Sequence, residues 1–182
     1  MRTVLLLCLA LAAGGAWAQK GRYLTLPQFL DRAFAGQSHQ ADTLWIQDDW
    51  RPEMERILDH RFSRLRVRYW RAERRSAWIF DEIGKEQPIT IGVVVDGGRI
   101  DSVQILEFRE SRGGEVRYPF FTDQFRGLSL VAAEKNRKLS DNIDGITGAT
   151  LSVSAVTRVA TLALYLHEKA FPSASETPPT AN

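Results

Sequence analysis

Residues 89–108 read ITIGVVVDGGRIDSVQILEF, two apolar runs divided by Asp96-Gly97-Gly98. Ile89–Val95 and Ile100–Phe108 are rich in β-branched residues, and the aspartate and glycines between them supply the positive-φ positions that a tight turn needs. The stretch therefore predicts an antiparallel hairpin. Upstream, Leu65, Val67 and Tyr69 alternate with Arg64, Arg66 and Arg68, and Ala77–Phe80 continues the apolar theme after a charged break. This predicts further strand with one wet face. Downstream, Thr150 to about Ala170 is apolar nearly all round (Leu151, Val153, Val156, Val159, Leu162, Leu164, Leu166), so it predicts a long, largely buried helix. Leu26–Phe34 predicts a short amphipathic helix, with Pro27 in its first turn after Thr25 and Leu26, Phe29, Leu30, Ala33 and Phe34 on one face. Pro52–His60 predicts a second, started near Asp49 and packing Met54, Ile57 and Leu58. Thr43–Gln47 reads as a short apolar piece, Arg109–Tyr118 as a polar loop around Gly113-Gly114, and Pro119–Leu130 as a mixed aromatic segment. Helices followed by strands and a buried helix give an α+β class: an antiparallel sheet with flanking helices.

The 182 residues are 25% charged and 44% hydrophobic, with 24 Lys+Arg against 22 Asp+Glu. That balance excludes disordered, collagenous and coiled-coil chains. The N-terminal MRTVLLLCLALAAGGAWA has the order of a secretory signal peptide: Arg2, an apolar run, then Ala16-Trp17-Ala18. The expectation is removal of residues 1–18 before Gln19, leaving a cysteine-free periplasmic or otherwise exported protein. The apolar run is short for a membrane span, though retention as an anchor is the competing reading. Without Cys8 there is no disulfide, Cys-ligated zinc, iron–sulfur cluster or attached c-type haem. Residues 171–182, rich in proline, serine and threonine, predict a disordered tail.

Arg51–Arg75 holds nine arginines against four acidic residues, with Phe62, Tyr69 and Trp70 among them. The alternation favours a solvated strand face over a nucleic-acid surface, with a local role toward an anionic ligand or partner held open. His39, His60 and His167 show no metal-ligand spacing and are expected at the surface or as caps. Asp48-Asp49 and Asp81-Glu82 are expected to serve solubility and capping. No Gly-x-Ser-x-Gly nucleophile elbow is present.

Asp141–Ser152, DNIDGITGATLS, is the chemically distinctive segment. It gathers glycines, hydroxyls and aspartate at the start of the long buried helix, where free N–H groups and the helix dipole favour a phosphate. The plain alternative is a capped turn with Thr147 or Asp144 as N-cap. It is neither a Walker A loop nor a dinucleotide fingerprint, so spacing supports a phosphate-sized anion and no more.

Asp144-Gly145-Ile146-Thr147-Gly148-Ala149-Thr150-Leu151-Ser152 resembles the flavinylation motif of the FMN-binding domain family. That family includes the periplasmic flavin subunits of the sodium-pumping NADH:quinone oxidoreductase and of the Rnf complex. The resemblance runs over Pro88–Lys169, including Val94–Ile100, Arg109–Gly114 and the Phe121, Gln124-Phe125-Arg126-Gly127 element, and assigns a domain to residues 88–170. Residues 19–87 stay an unassigned helical and strand part. The resemblance implies that a FAD:protein FMN transferase joins FMN to the Thr150 hydroxyl as a phosphoester, making the chain a covalent flavoprotein and phosphoprotein. It further implies Asp144 and Thr147 as residues read by the transferase or ordering the loop, and a membrane-bound redox partner in an electron-transport chain. The helix start would stabilise the remaining phosphoester charge by about 0.3–1 kcal/mol, and Gly148 and Ala149 would leave room for enzyme and flavin. Tyr118, Phe120, Phe121 and Phe125 are candidates for a wall against the flavin ring, with the Glu110–Gly114 loop as a second side. A self-sufficient reductase of a metal chelate or quinone, and a non-redox binding or assembly module, are the alternatives. No nucleic-acid partner and no metal are expected.

Overall fold

The structure, a computed structural model, describes residues 21–132 and 137–172. Expectations for residues 1–18 and for the tail beyond Pro172 lie outside them. In chain order the elements are β1 (Gly21–Arg22), α1 (Leu26–Phe34), β2 (Gln40–Trp45), α2 (Arg51–Leu58), β3 (Arg66–Ala72), β4 (Arg75–Ile83), β5 (Pro88–Asp96), β6 (Arg99–Phe108), α3 (Pro119–Thr122), β7 (Leu130–Ala132), β8 (Arg137–Leu139) and α4 (Thr150–Ala170). The first six strands form one antiparallel sheet in the order β1-β6-β5-β4-β3-β2, and β7 pairs with β8 apart from it. The α+β class with an antiparallel sheet and flanking helices holds. The turn at Gly84–Gln87 joins two strands, β4 and β5, that pair along their whole length, so residues before 88 share the sheet with those after it.

The β5–β6 hairpin closes through Gly97 (φ 54°) and Gly98 (φ 82°), the pair of positive-φ residues of a two-residue turn. Asp96 is not one of them; it is the last residue of β5 and pairs with Arg99. Alternation along β5 sends Ile89, Ile91, Val93 and Val95 into the core beneath α2 and α4, while Val94 faces α1. On the α1 face, a Cβ on Gly92 would stand 2.5 Å from the Phe29 ring. Only glycine lets this helix lie so close to the sheet.

α1 starts with a capping box between Thr25 and Gln28 and carries Pro27 in its first turn, two devices that fix a helix start. It buries Phe29, Leu30, Ala33 and Phe34, but Leu26, expected on the same face, is exposed because it precedes the first turn that reaches the sheet. α2 buries Met54, Ile57 and Leu58 as expected. Leu65 is exposed rather than buried, since it precedes β3, whose inward residues are Val67 and Tyr69. α4 spans Thr150–Ala170 and is buried over most of its length against β4, β5 and α2. Among the described residues no helix is long and apolar enough to cross a membrane.

Candidate functional site

The Asp141–Ser152 segment runs into α4 through Gly148 (φ 80°) and Ala149, which occupies the N-cap position without a side-chain hydrogen bond. Neither Thr147 nor Asp144 caps the helix. Ala149 has φ −122° and ψ 17°, away from the extended conformation that a side-chain cap uses. The first intrahelical bond runs from the Val153 N–H to the Ala149 carbonyl. The N–H groups of Thr150, Leu151 and Ser152 stand before it, and no acidic residue occupies the first turn. This is an unopposed positive helix end. Thr150 is exposed, Leu151 is 52% exposed and Ser152 is buried. Upstream, the Asp144 N–H donates to Gln124 Oε1 at 2.7 Å, which ties the motif to the segment after α3.

The Arg109–Gly114 loop lies against this helix start. Gly113 has φ 83°, and a Cβ there would come within 2.5 Å of Ser152 Oγ and 3.5 Å of the Ala149 Cβ. Glycine is required both by the backbone and by the space. Ala149 is buried in this contact, whereas a Cβ added to Gly148 would meet nothing and so faces open space.

Glu110 fixes the loop from its other end. Its carboxylate is 5% exposed and accepts the backbone N–H groups of Lys85 (2.6 Å), Glu86 (2.6 Å) and Gln87 (2.8 Å) at Oε1. Burial pushes this carboxyl up, but the three N–H donors, helped by the Lys85 ammonium, outweigh it and hold the group below the usual carboxylate range. The β4–β5 turn and the Arg109–Gly114 loop are thereby joined, and with the start of α4 they enclose a cavity of about 600 Å³. Lys85, Glu110, Ser111 and Arg112 line one side of it, and Gly148, Ala149, Thr150, Leu151 and Ser152 the other. Lys85 and Arg112 give it two cations beside the positive helix end. The residues Gly148 through Ser152 and the Glu110–Gly114 loop, both singled out in the sequence, are thus brought together. Lys85 was missed because its place depends on a carboxylate 25 residues away. Asp144, Gly145, Ile146 and Thr147 do not line the cavity.

The candidate aromatic wall divides. Phe121 and Phe125 are fully buried and packed edge to face at 5.4 Å; they are core and cannot meet a ligand ring. Tyr118 and Phe120 are exposed and stacked at 6.2 Å, with the Arg117 guanidinium 4.6 Å from the Tyr118 ring centre.

Two further expectations are corrected by burial. His167 is 2% exposed, not a surface or capping residue. Its Nε2 accepts from the Gly98 N–H at 3.2 Å, so Nδ1 carries the proton and donates to Ser76 Oγ at 2.7 Å. Burial, with the Arg74 charge adding to it, pushes its pKa down to about 4. Glu82 is buried rather than solubilising, and accepts from Arg158 at 2.9 Å and His60 at 3.0 Å. The hydrogen bond to Glu82 raises the His60 pKa above its ordinary value. His39 is exposed and stacks on Phe34 at 4.5 Å. Among the described residues no group of His, Cys, Asp and Glu could hold a metal.

Residues 84–165 match the model of a family described as FMN-binding domain, a span that contains every residue lining the cavity. No curated protein matches the chain.

Proposed function

Because residues 84–165 belong to the FMN-binding domain family, we propose that the protein is an exported electron carrier whose FMN is held on Thr150 by a phosphoester. Flavin binding itself follows from the family. The attachment, the export and the partners are the proposal, and one observation carries it: Thr150 is an exposed hydroxyl at the uncapped start of α4, in a cavity with Lys85 and Arg112.

The cavity suits the group in size and in donors. About 600 Å³ lies inside the roughly 300–1,000 Å³ of small-molecule sites. The helix N–H groups and the two cations match a phosphate, and Leu151 offers an apolar surface beside it. FMN, when bound, supplies reversible uptake and release of electrons. The Thr150 Oγ would form the new bond to phosphorus while the pyrophosphate bond of FAD breaks, AMP leaves and the hydroxyl proton is lost. Glu110 would hold Lys85 beside the ester, and Gly113 would keep the loop close enough to shield it. Tyr118 and Phe120, the exposed pair among the four aromatics named from the sequence, are the side chains free to meet a flavin ring.

The FAD:protein FMN transferase, a membrane-bound electron donor and an extracytoplasmic acceptor are the partners this reading requires. Covalent attachment serves a location that has no cytoplasmic FMN pool to replace a lost cofactor. The test is the intact mass of the protein exported from cells that also make the transferase. The expected species starts at Gln19 and carries FMN less one water. Thr150→Ala should lack the flavin, whereas Thr150→Ser and Ser152→Ala should keep it. A wild-type protein that loses its flavin on denaturation removes the covalent claim and leaves flavin binding standing. A chain starting at Met1 returns the membrane-anchor reading.

A further inference from the structure

Six of the nine arginines from Arg51 to Arg75 are of two kinds. Arg51, Arg56, Arg71 and Arg75 pair with Asp48, Glu53, Asp42, and with Asp96 and Asp101, respectively. Arg66 and Arg68 rest instead over tryptophan rings, Arg66 5.6 Å from the centre of Trp45 and Arg68 5.9 Å from that of Trp70. The β2–β3 register opposes Trp45 to Arg66, Thr43 to Arg68 and Ala41 to Trp70, and directly opposed side chains share a face. α1 covers this face only as far as Trp70, Ala72 and Ile79. Beyond it Arg66, Arg68 and Thr43 are exposed and Trp45 is 58% exposed, on the last two strands at one edge of the sheet.

We infer that this uncovered face of β2 and β3 docks an acidic protein partner, with carboxylates on Arg66 and Arg68 and apolar contact on Trp45. A guanidinium resting on an indole keeps its N–H edge for an acceptor, and the ring already restricts a side chain that would otherwise be ordered on binding. Two residues along a strand span about 6.7 Å, so an extended acidic segment presents alternate carboxylates at the spacing of Arg66 and Arg68. A lipid surface asks for several apolar side chains to insert together; among the described residues Trp45 and Ile83 are the two large apolar side chains on this face that are more than half exposed, and they stand on β2 and β4 with β3 between them. The near balance of 24 Lys+Arg and 22 Asp+Glu makes the attraction local rather than general. The surface shares no residue with the Thr150 cavity, so the inference stands or falls separately from the flavin.

The test is fluorescence anisotropy of a labelled oligoglutamate peptide with the whole exported protein at low salt. Arg66→Gln/Arg68→Gln should weaken binding by about tenfold and flatten its salt dependence. Trp45→Ala should weaken it by about threefold. Arg32→Gln/Arg126→Gln, the same charge change elsewhere, should stay within about twofold of wild type. Arg66→Lys/Arg68→Lys keeps the charge without the planar fork and should fall between wild type and the glutamine pair, a check independent of charge loss. A wild-type protein that ignores the peptide overturns the inference. So does equal weakening by the two glutamine pairs, or preferential binding of phosphatidylglycerol vesicles or of duplex DNA.

Discussion

The two ends of α4 are built on opposite rules. At its start, Thr150 and Leu151 face solvent and a cavity, no side chain caps the N–H groups, and the cavity is lined by Lys85, Arg112 and a Glu110 carboxylate already taken up by three backbone N–H groups. At its end, His167 is buried, bonded through both ring nitrogens and stacked on Phe171 at 4.7 Å. Around it Glu168 pairs with Arg137 at 2.7 Å, and Lys169 lies over Trp50 and Tyr165. A missing N-cap forgoes about 1 kcal/mol, and cations beside a positive dipole forgo more. The same helix therefore gains fold stability from one terminus and surrenders some at the other. A helix start left open beside Lys85 and Arg112, with the Glu110 carboxylate committed to the β4–β5 turn, suits an anion from outside the protein chain.

The largest effect should come from the closed end. His167→Ala removes a buried ring, leaves the Gly98 N–H without its acceptor, and leaves Ser76 Oγ with only the Trp78 N–H at 2.8 Å. Cavity and lost hydrogen bonds together should cost about 3–4 kcal/mol, lowering Tm by about 6–16 °C. A loss below about 1 kcal/mol in urea unfolding would mean that this end is not the anchor described.

The pH dependence should follow from the same residue. His167 is neutral in the fold, its pKa depressed from 6.5 to about 4. Above pH 6.5 both folded and unfolded chains are neutral at this site and its contribution is whole. As pH falls, the unfolded chain takes the proton first, so stability declines with a slope approaching about 1.4 kcal/mol per pH unit, up to about 3 kcal/mol by pH 4. His60 has the opposite sign: its pKa is raised, so its contribution is present below pH 6.5 and fades as pH rises through its folded value. Glu110 enters only below the ordinary carboxylate value of 4.5, because its own pKa is lowered. Between pH 6.5 and 4.5 the slope belongs chiefly to His167, and unfolding of His167→Gln across that window should be nearly flat by comparison.

How much of this was legible in the sequence depended on whether the signal was local. The bounds of α1 and α4 follow from Pro27, the Thr25–Gln28 cap and an apolar run, and the β5–β6 turn follows from adjacent glycines. β1, β7 and β8, of two or three residues each, are too short to carry a period. The burial of His167 and Glu82 was not legible, because their partners stand 91 and 76 residues away. An isolated polar residue in an apolar stretch reads alike whether or not such a partner exists. At the site, the motif and the Glu110–Gly114 loop were legible by resemblance, whereas Lys85 and the work of Glu110 depend on a turn and a loop meeting. The plain alternative of a capped turn fails for a related reason: Thr147 and Asp144 have capping chemistry, but the positive φ of Gly148 and the buried Ala149 set the helix start beyond their reach.

The smallest stability effect should come from the open end, and it tests the comparison most directly. Thr150 is exposed at the first position of α4, and its hydroxyl caps nothing. Were it a cap, Thr150→Ala would cost about 1 kcal/mol. Standing as it does, the change should leave unfolding within about 0.5 kcal/mol of wild type, with a slight gain because alanine favours helix more than a β-branched residue. The flavin-free forms of the two proteins are the ones to compare, since a bound group would stabilise the wild type by its own affinity. A loss of about 1 kcal/mol would make Thr150 a structural residue and put the two ends of the helix under one rule. An unchanged fold, together with loss of the flavin adduct, would place the whole cost of the substitution in chemistry.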